Sequence, residues 1–453
     1  MKINRRELVK NLALASGAAA LGASWPFSKT TSAGATLPSL PNPGNSHIDH
    51  VVVVTMENRS FDHFLGWLPN ADGKQAGLTY VDKQGTAHHT YSLSGDYTGC
   101  PHPDPDHSYD GGRVQYDGGK MDGFLRSGAN DVYSIGYYKQ NDIPFYAALA
   151  RNYTTCDRYF PSILGPTFPN RIFLHAAQTD RLSNTAAPTT VPTIWDRLAA
   201  AGVSANYYYS NLPFLGLWGP KYAGISRPYT DFLLAASTGT LPAVSFIDPI
   251  YTVLDDGTAN DDHPHADIRK GDRFLYDTFE AVANGPNWPN TVFIVNFDEW
   301  GGFFEHVAPP RAAAPNNVDP DLVNGKALLG FRVPTVIASP FSSGEVTDPR
   351  VSAFVFDHTS VLKLIEWRWG LAPLTARDAS NDVQNLAYAL NFEHPNNAVP
   401  TLPQPVAPIL GAPCPGSGGI LGGAPTLAST PEANVWTQLG RYAATNGFAV
   451  KLP

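Results

Sequence analysis

The chain has 453 residues, 43% of them hydrophobic, and a formal net charge of -9 at pH 7. This composition excludes a disordered chain and allows one large core or two modest ones. The acidic balance excludes nucleic-acid binding by phosphate neutralisation, and no stretch beyond the N-terminal region is long and apolar enough to predict a transmembrane segment. The 40 prolines and 40 glycines indicate long ordered loops within one elaborated domain.

The N-terminus has the pattern of an export signal. Arg5 and Arg6 precede a mildly apolar run and a small-residue cleavage site, which predicts a twin-arginine signal peptide over residues 1–35. We therefore expect passage through the twin-arginine export machinery and a periplasmic or secreted protein. Residues 36–47 are predicted to be a linker, and residues 48–453 a single domain with long loop insertions and an irregular C-terminal tail.

Three cysteines, Cys100, Cys156 and Cys414, allow at most one disulfide. None has the spacing of a cysteine metal site. The sequence leaves their pairing open.

Apolar β-branched runs alternate with helical patterns along the chain. The predicted strands cover 51–56, 204–209, 243–247, 291–297 and 333–338, with a short extended piece at 156–164. The predicted helices cover 60–67, 144–153, 167–178, 191–200, 271–284, 360–369 and 432–446. Residues 70–130 are predicted to be a long loop region, and residues 400–425 an irregular tail. The alternation predicts an α/β fold with a parallel sheet and helices on both faces.

Polar residues follow the apolar strands directly. Glu57 and Asn58 come after the first strand, and Asp298 and Glu299 come after the strand at 291–297. Carboxylate and amide oxygens at two strand ends are ligands for a hard cation. Thr167, at a predicted helix N-terminus, adds a hydroxyl nucleophile at a natural phosphate-binding position.

Four motifs occur in a fixed order: ENRSFDH at 57–63, GKMDGF at 119–124, LGPTFPNR at 164–171 and FDEWGGFFEHV at 297–307. Together they resemble the bacterial phospholipase C and acid phosphatase family. The resemblance spans about Ile48 to Asn391. It implies an alkaline-phosphatase-like three-layer sandwich, with a central mostly parallel sheet and helices on both faces.

The resemblance also implies site residues. One divalent metal ion, Ca²⁺, Zn²⁺ or Mg²⁺, would be bound by Glu57, Asn58, Thr167, Asp298 and Glu299. Thr167 would also be the nucleophile.

His107 and His263 resemble the catalytic histidines of that family, which meet the phosphoryl oxygens and the leaving group. Their neighbours His102 and His265 remain alternatives.

Arg59 and Asn170 are the candidate substrate-binding residues. For Arg59, pairing with Asp62 or packing in the framework is the alternative to a phosphate contact.

Two motif positions depart from the family pattern: Glu305 replaces the usual aspartate, and Trp300 fills a position that is often polar or small. Some family phosphatases carry paired histidines where this chain has Asn206 to Tyr209, which weakens an acid-phosphatase assignment. The aromatic run around Tyr207 could box a quaternary ammonium group, although core packing is the favoured interpretation.

The sequence thus predicts an exported metal-dependent phosphoesterase with a phosphothreonine intermediate. Phospholipase C-type phosphodiester hydrolysis is favoured, with acid phosphatase or a non-catalytic exported binding protein as alternatives. A sulfatase is excluded because neither Cys100 nor Cys156 lies in the required nucleophile motif. The expected substrate is a phospholipid or a small phosphoester, and a phospholipid would bring transient contact with a membrane surface.

Overall fold

The computed structural model describes residues 37, 39–253, 258–408, 414 and 431–451. The predicted signal peptide and much of the predicted irregular tail lie outside the described residues. The strands are β1 (His50–Met56), β2 (Thr79–Val81), β3 (Ala87–His89), β4 (Tyr91–Ser92), β5 (Gly136–Tyr137), β6 (Thr154–Cys156), β7 (Tyr159–Phe160), β8 (Ala205–Tyr209), β9 (Ser226–Pro228), β10 (Val244–Asp248), β11 (Thr291–Phe297), β12 (Arg311–Ala313), β13 (Lys326–Leu328), β14 (Val336–Ala338), β15 (Val351–Ser352) and β16 (Phe356–Asp357). The α-helices are α1 (Phe61–Leu65), α2 (Tyr109–Tyr116), α3 (Pro144–Asn152), α4 (Thr167–Ala176), α5 (Ile194–Ala200), α6 (Tyr229–Thr238), α7 (Ile268–Ala283), α8 (His358–Trp369), α9 (Ala376–Ala379) and α10 (Pro431–Thr445).

An eight-stranded sheet forms the centre of the molecule, in the order β15-β6-β14-β11-β1-β10-β8-β9. Strand β14 runs antiparallel to both of its neighbours, and the other pairs of this sheet are parallel. The predicted α/β class with a mostly parallel sheet is confirmed. The sequence could not show the direction of β14, because an apolar run reads the same in either orientation.

Strands β1 and β11 are central because their β-branched and aromatic side chains are buried on both faces. Their register pairs Val51 with Val292 and Met56 with Phe297. The residues that follow, Glu57 and Asp298, therefore leave the sheet side by side at its carboxyl edge. This is the edge at which open parallel sheets bind ligands.

Helices cover both faces of the sheet. On one face, Phe293 of β11 packs against Phe279 of α7, with ring centroids 5.7 Å apart. Phe246 of β10 lies in register with Val53 and hence with Ile294, so its side chain points to the opposite face. There it meets Trp195 of α5 at 5.1 Å. The predicted three-layer arrangement is confirmed.

One prediction of local structure was wrong, and one helix was missed. The segment 70–130 is not only loop, because it contains β2, β3, β4 and the eight-residue helix α2. Helix α2 could not be predicted from the spacing of apolar residues, because it contains two glycines and has a low mean hydropathy. Helix α6 was not predicted at all. Among the described residues, no helix has the length and apolar character needed to cross a membrane.

A disulfide joins Cys100 to Cys414 across a sequence separation of 314 residues. Cys156 is a buried free thiol at the end of β6. The disulfide ties the segment before α2 to the segment before α10.

Candidate active site

The turns after β1 and β11 are bonded to each other through their backbones. Asp298 N donates to Met56 O at 3.1 Å, and Arg59 N donates to Glu299 O at 3.1 Å. Asn58 adopts a left-handed conformation with φ +61°, which asparagine tolerates better than most residues. A Cβ at Gly301 would lie 2.1 Å from Asn58 O, so only glycine allows the two turns to approach this closely.

The acidic side chains of these turns have no exposed surface. Asn58 N donates to Asp298 Oδ1 at 3.3 Å, and Gly301 N donates to Glu299 Oε2 at 2.7 Å. His358, at the start of α8, holds the same turn through a 2.8 Å hydrogen bond from Nε2 to Asp298 O. Burial lowers the pKa of His358 to about 4, so its ring is neutral at neutral pH.

Arg171 of α4 joins three of the carboxylates at the sheet edge. Its guanidinium donates to Asp298 Oδ2 and to Asp248 Oδ1, both at 2.9 Å, and lies 3.4 Å from Glu57 Oε1. Burial alone would lower the pKa of Arg171, but Tyr251 and these three carboxylates outweigh it and hold the pKa well above its ordinary value. Arg171 is therefore a permanent buried cation inside the site.

Thr167 is the first residue of α4, as the sequence predicts. Its Oγ1 donates to Asn58 Oδ1 at 3.5 Å, so the hydroxyl reaches the turn after β1. The side chain has no exposed surface. The neighbouring Phe168 N donates to Asn184 Oδ1 at 2.8 Å, which satisfies one of the free amides of this helix N-terminus.

Asn170 fastens the loop before Thr167. Its Oδ1 accepts from Ile163 N at 3.1 Å, and its Nδ2 donates to Gly165 O at 2.8 Å and to Pro166 O at 3.2 Å. Both ends of the amide are thus engaged by the backbone of its own loop. We therefore expect Asn170 to position Thr167, and its predicted role as a phosphate ligand stays a prediction.

His107 and His263 lie together, with ring centroids 5.8 Å apart and the rings nearly perpendicular. His107 Nε2 lies 3.4 Å from Asn58 Nδ2 and 3.9 Å from Glu299 Oε1, which connects the pair to the acidic turns. His263 Nε2 lies 3.8 Å from Asp104 Oδ2. His107 and His263 are largely buried and Asp104 is half-buried, whereas Thr167 has no exposed surface.

The alternative histidines have other contacts. His102 Nδ1 lies 2.8 Å from Asp131 Oδ2, and the ring stacks on Tyr133 at 5.1 Å. His265 Nε2 donates to His102 O at 3.0 Å. The geometry therefore favours His107 and His263 over His102 and His265.

Arg59 is directed away from Thr167, into the framework. Its Nε donates to Asp262 O at 2.7 Å, its Nη1 lies 3.0 Å from His63 Nε2, and its guanidinium packs over the ring of Phe303. These contacts match the packing alternative, and the phosphate contact of Arg59 stays a prediction. The predicted pairing with Asp62 is wrong, because Asp62 bonds to Arg332 and His306.

The residues present fit a hard cation in charge and in donor chemistry. Glu57, Asp298 and Glu299 are fully buried carboxylates, and the guanidinium of Arg171 contacts the first two of them. Excess negative charge in a desolvated site is costly unless a cation balances it, and carboxylate oxygens suit Ca²⁺ or Mg²⁺. Among the described residues these three carboxylates do not converge within 4.8 Å of one another, and Arg171 contacts both Glu57 and Asp298.

The comparison with known families follows this geometry. The profile of the Phosphoesterase family matches residues 48–372, well over half of the chain. The chain belongs to the Phosphoesterase family. The predicted recognition and the predicted class of phosphoric ester hydrolase are confirmed.

Named relatives align with most of this phosphoesterase. Non-specific phospholipase C6 of Arabidopsis thaliana is 31% identical over 373 residues, which cover 74% of this chain and 71% of that protein. Phospholipase C A of Mycobacterium tuberculosis is 30% identical over an alignment of 492 positions with gaps, which covers 90% of this chain and 89% of that protein. Among solved structures, a protein in the alkaline phosphatase superfamily from Vibrio parahaemolyticus is 10% identical to this chain. The match covers 75% of this chain and 70% of that protein's chain, with a TM-score of 0.36.

The departures from the family pattern lie beside the proposed site. Glu305 accepts from Arg332 Nη2 at 2.7 Å, in a cluster with Asp62, and burial raises its pKa to about 7. Trp300 Nε1 donates to Oε1 of Gln115, a residue of α2, at 2.6 Å. Tyr207 belongs to the buried core and bonds to Asp248, so the aromatic run is packing, as favoured.

Sequence reasoning about the phosphoesterase missed two residues of the site. Arg171 ends the motif that contains Thr167, but an arginine four residues into a helix has no signature of a carboxylate partner. Asp104 lies in the proline-rich run before His107, and only the folded loop brings it to His263.

Proposed function

We propose that this phosphoesterase is an exported, metal-dependent phospholipase C-type enzyme that cleaves a phosphodiester through a phosphothreonine at Thr167. The observation that carries the proposal is the position of the Thr167 hydroxyl, at a helix N-terminus and 3.5 Å from Asn58 Oδ1, beside three buried carboxylates. A helix N-terminus favours a phosphate group through its unpaired amides and its dipole.

Thr167 Oγ1 releases its proton to solvent and attacks phosphorus in line, and the ester oxygen leaves on the opposite side with a proton from His107 or His263. One divalent cation, held by Glu57, Asn58, Thr167, Asp298 and Glu299, would lower the pKa of the hydroxyl and offset phosphoryl charge. Arg171 keeps the carboxylates of Glu57 and Asp298 in place during the reaction. A water molecule then cleaves the phosphothreonine.

His107 and His263 act on the leaving group. The proposal is supported by their position beside the turn after β1, since His107 Nε2 lies 3.4 Å from Asn58 Nδ2 and the rings of His107 and His263 are 5.8 Å apart. A histidine there can transfer a proton near neutral pH. Thr167 has no exposed surface, so water competes less with its hydroxyl.

A phosphodiester substrate is favoured over a phosphomonoester because the named relatives are phospholipases C. Their alignments cover 74% and 90% of this chain. A phospholipid with a small head group is the proposed substrate, and acid phosphatase activity is the alternative. Turnover of a chromogenic phosphorylcholine ester should exceed that of the matching phosphate monoester. The reverse order would assign the enzyme to the monoesterases.

Export to the periplasm or beyond is supported by the Cys100–Cys414 disulfide, since structural disulfides persist in oxidising compartments. Replacing both Arg5 and Arg6 with lysine should retain the protein in the cytoplasm of a host with a twin-arginine pathway. Unchanged export of that variant would exclude this route.

The decisive test of the nucleophile replaces Thr167 with alanine. We expect Thr167→Ala to lose at least about 10³-fold in kcat, on the order of the loss of an essential nucleophile. Thr190→Ala, at an exposed threonine, is the matched control and should retain full activity. Acid-quenched wild type in turnover should yield a peptide phosphorylated at Thr167. Undiminished turnover by Thr167→Ala would remove the nucleophile assignment.

A further inference from the structure

The last helix, α10 (Pro431–Thr445), lies beyond residues 48–372, which match the family profile. It packs against the 3-10 helix Phe214–Ile225. A Cβ at Gly216 would lie 2.7 Å from Ala443 Cβ, so only glycine allows the two helices to approach this closely. An element outside the matched region is therefore seated tightly against the core of the phosphoesterase.

Trp436 is the residue by which α10 reaches the active site. Its side chain is 1% exposed. The indole stacks on Tyr251, with ring centroids 3.9 Å apart and an angle of 21° between the planes, and meets Phe168 edge-on at 4.8 Å. Aromatic pairs of this kind stabilise a structure beyond the burial of their area. Trp436 thus joins two rings that belong to different segments of the chain.

Each of these two rings adjoins a proposed functional residue. Phe168 directly follows Thr167 in the first turn of α4. Tyr251 lies in the segment that leads from β10 to His263. One indole is therefore placed next to the proposed nucleophile and next to the loop of a proposed catalytic histidine.

Tyr251 also contacts Arg171. The guanidinium carbon of Arg171 lies 4.9 Å from the centroid of the Tyr251 ring. A cation over an aromatic face is attracted by the ring, and the attraction is stronger where water is excluded. Both side chains are at most 2% exposed. Since Arg171 contacts Glu57 and Asp298, the contacts that begin at Trp436 end at the proposed metal ligands.

The packing around Trp436 makes these positions depend on it. Protein interiors are close-packed, so the loss of a large side chain leaves a cavity into which its neighbours partly relax. Here the neighbours are Phe168 and Tyr251, and a displacement of either moves Thr167 or Arg171. A shift of about 1 Å in a reacting group can lower the rate about 10²-fold.

We propose that Trp436 is a positioning residue of this phosphoesterase, which sets the place of Thr167 through Phe168 and of Arg171 through Tyr251. The inference rests on the proposed function for the roles of Thr167 and of the metal ligands. It adds a residue of α10, outside the matched region, to the active centre.

The test compares Trp436→Ala with Trp288→Ala in the full-length protein. Trp288 is similarly buried, at 3% exposed, and packs against Phe279. It precedes β11, whereas Asp298 follows that strand, so Trp288 lies at the opposite edge of the sheet. Both variants lose a buried indole, and both should unfold at a lower urea concentration than wild type. This matched loss separates a positioning role from stability alone.

Kinetics and cation binding are measured on both variants without urea. For whichever chromogenic phosphoester wild type hydrolyses, Trp436→Ala should lower kcat about 10²-fold, with a smaller change in KM. Ca²⁺ and Zn²⁺ are each titrated alone into chelator-treated protein by calorimetry. The cation that wild type binds more tightly should bind Trp436→Ala at least about tenfold more weakly. Trp288→Ala should match wild type in kcat and in cation affinity.

Further variants of α10 complete the comparison. Trp436→Phe keeps an aromatic ring for Tyr251 and Phe168, and should regain most of the lost kcat and cation affinity. If Trp436→Ala is not recovered folded, as judged by circular dichroism, Trp436→Leu carries the same expectation. Gln438→Ala, at an exposed position of α10, should behave as wild type.

Equal kcat and equal cation affinity in Trp436→Ala and Trp288→Ala would overturn the positioning role. Full turnover by Thr167→Ala would instead overturn the proposed function, and the cation affinities of the two tryptophan variants would still measure this inference. The two failures are therefore distinguishable.

Discussion

Arg171 Nε donates to Asp298 Oδ2 at 2.9 Å, so α4 and the turn after β11 are locked together inside the site. Thr167 begins the same helix, four residues earlier. The position of the proposed nucleophile relative to the proposed metal ligands thus depends on one buried guanidinium.

The first prediction concerns this guanidinium. Arg171→Met should lower the free energy of unfolding by about 3–5 kcal/mol, because it leaves the carboxylates of Asp248 and Asp298 buried without their cation. Arg171→Lys keeps the charge but cannot reproduce the separate contacts, and should fold with a weaker affinity for the metal ion. Urea unfolding and metal titration measure the two effects.

Arg273→Met is the control for Arg171→Met. Arg273 pairs with Asp277 on the exposed side of α7. An exposed pair contributes about 0–1 kcal/mol, so this variant should be nearly as stable as wild type. Equal stability of the two methionine variants would contradict the role assigned to Arg171.

The second prediction concerns the loop that Asn170 fastens. Asn170→Asp keeps the acceptor for Ile163 N and removes the amide donors to Gly165 O and Pro166 O. The displaced loop should shift Thr167 by a fraction of an ångström and lower kcat by about 10²-fold, with a smaller change in KM. A direct phosphate ligand would instead raise KM strongly, so the kcat and KM values of this variant distinguish positioning from binding. Asn381→Asp, at an exposed asparagine, is the control.

Much of this site could be predicted from the sequence because strand ends and motifs are local features. The apolar composition of the run from Val51 to Met56 predicts a buried strand. Glu57 and Asp298 could be proposed as metal ligands because each directly follows such a strand. Partners from distant segments leave no local mark. The contacts of Arg171 with Asp248 and of Asp104 with His263 exist only once the sheet and its loops are assembled.

Arg59 shows how little a neighbouring residue says about the direction of a long side chain. An arginine beside a proposed metal ligand suggests a phosphate contact, yet its side chain turns into the framework and packs over Phe303. Adjacency in sequence fixes the position of the backbone and leaves the direction of a long side chain to tertiary packing.

The third prediction concerns stability against pH. Glu366 of α8 is almost fully buried beside Asp378, and burial, followed by the neighbouring carboxylate, raises its pKa from 4.5 to about 9. The folded state therefore holds a proton that the unfolded chain releases near pH 4.5. The contribution of this proton to stability is complete below that pH and is lost as the pH rises towards 9.

Glu366→Gln keeps the shape of the protonated acid and a donor for Asp378, but does not titrate. The variant should match wild type near pH 5 and become more stable than wild type as the pH rises, by at most about 1.4 kcal/mol per pH unit. Urea unfolding at pH 5, 7 and 9 measures the difference. Glu345→Gln, at an exposed glutamate, should run parallel to wild type across this range. If Glu366→Gln also runs parallel to wild type, then Glu366 ionises in the folded protein as it does in the unfolded chain.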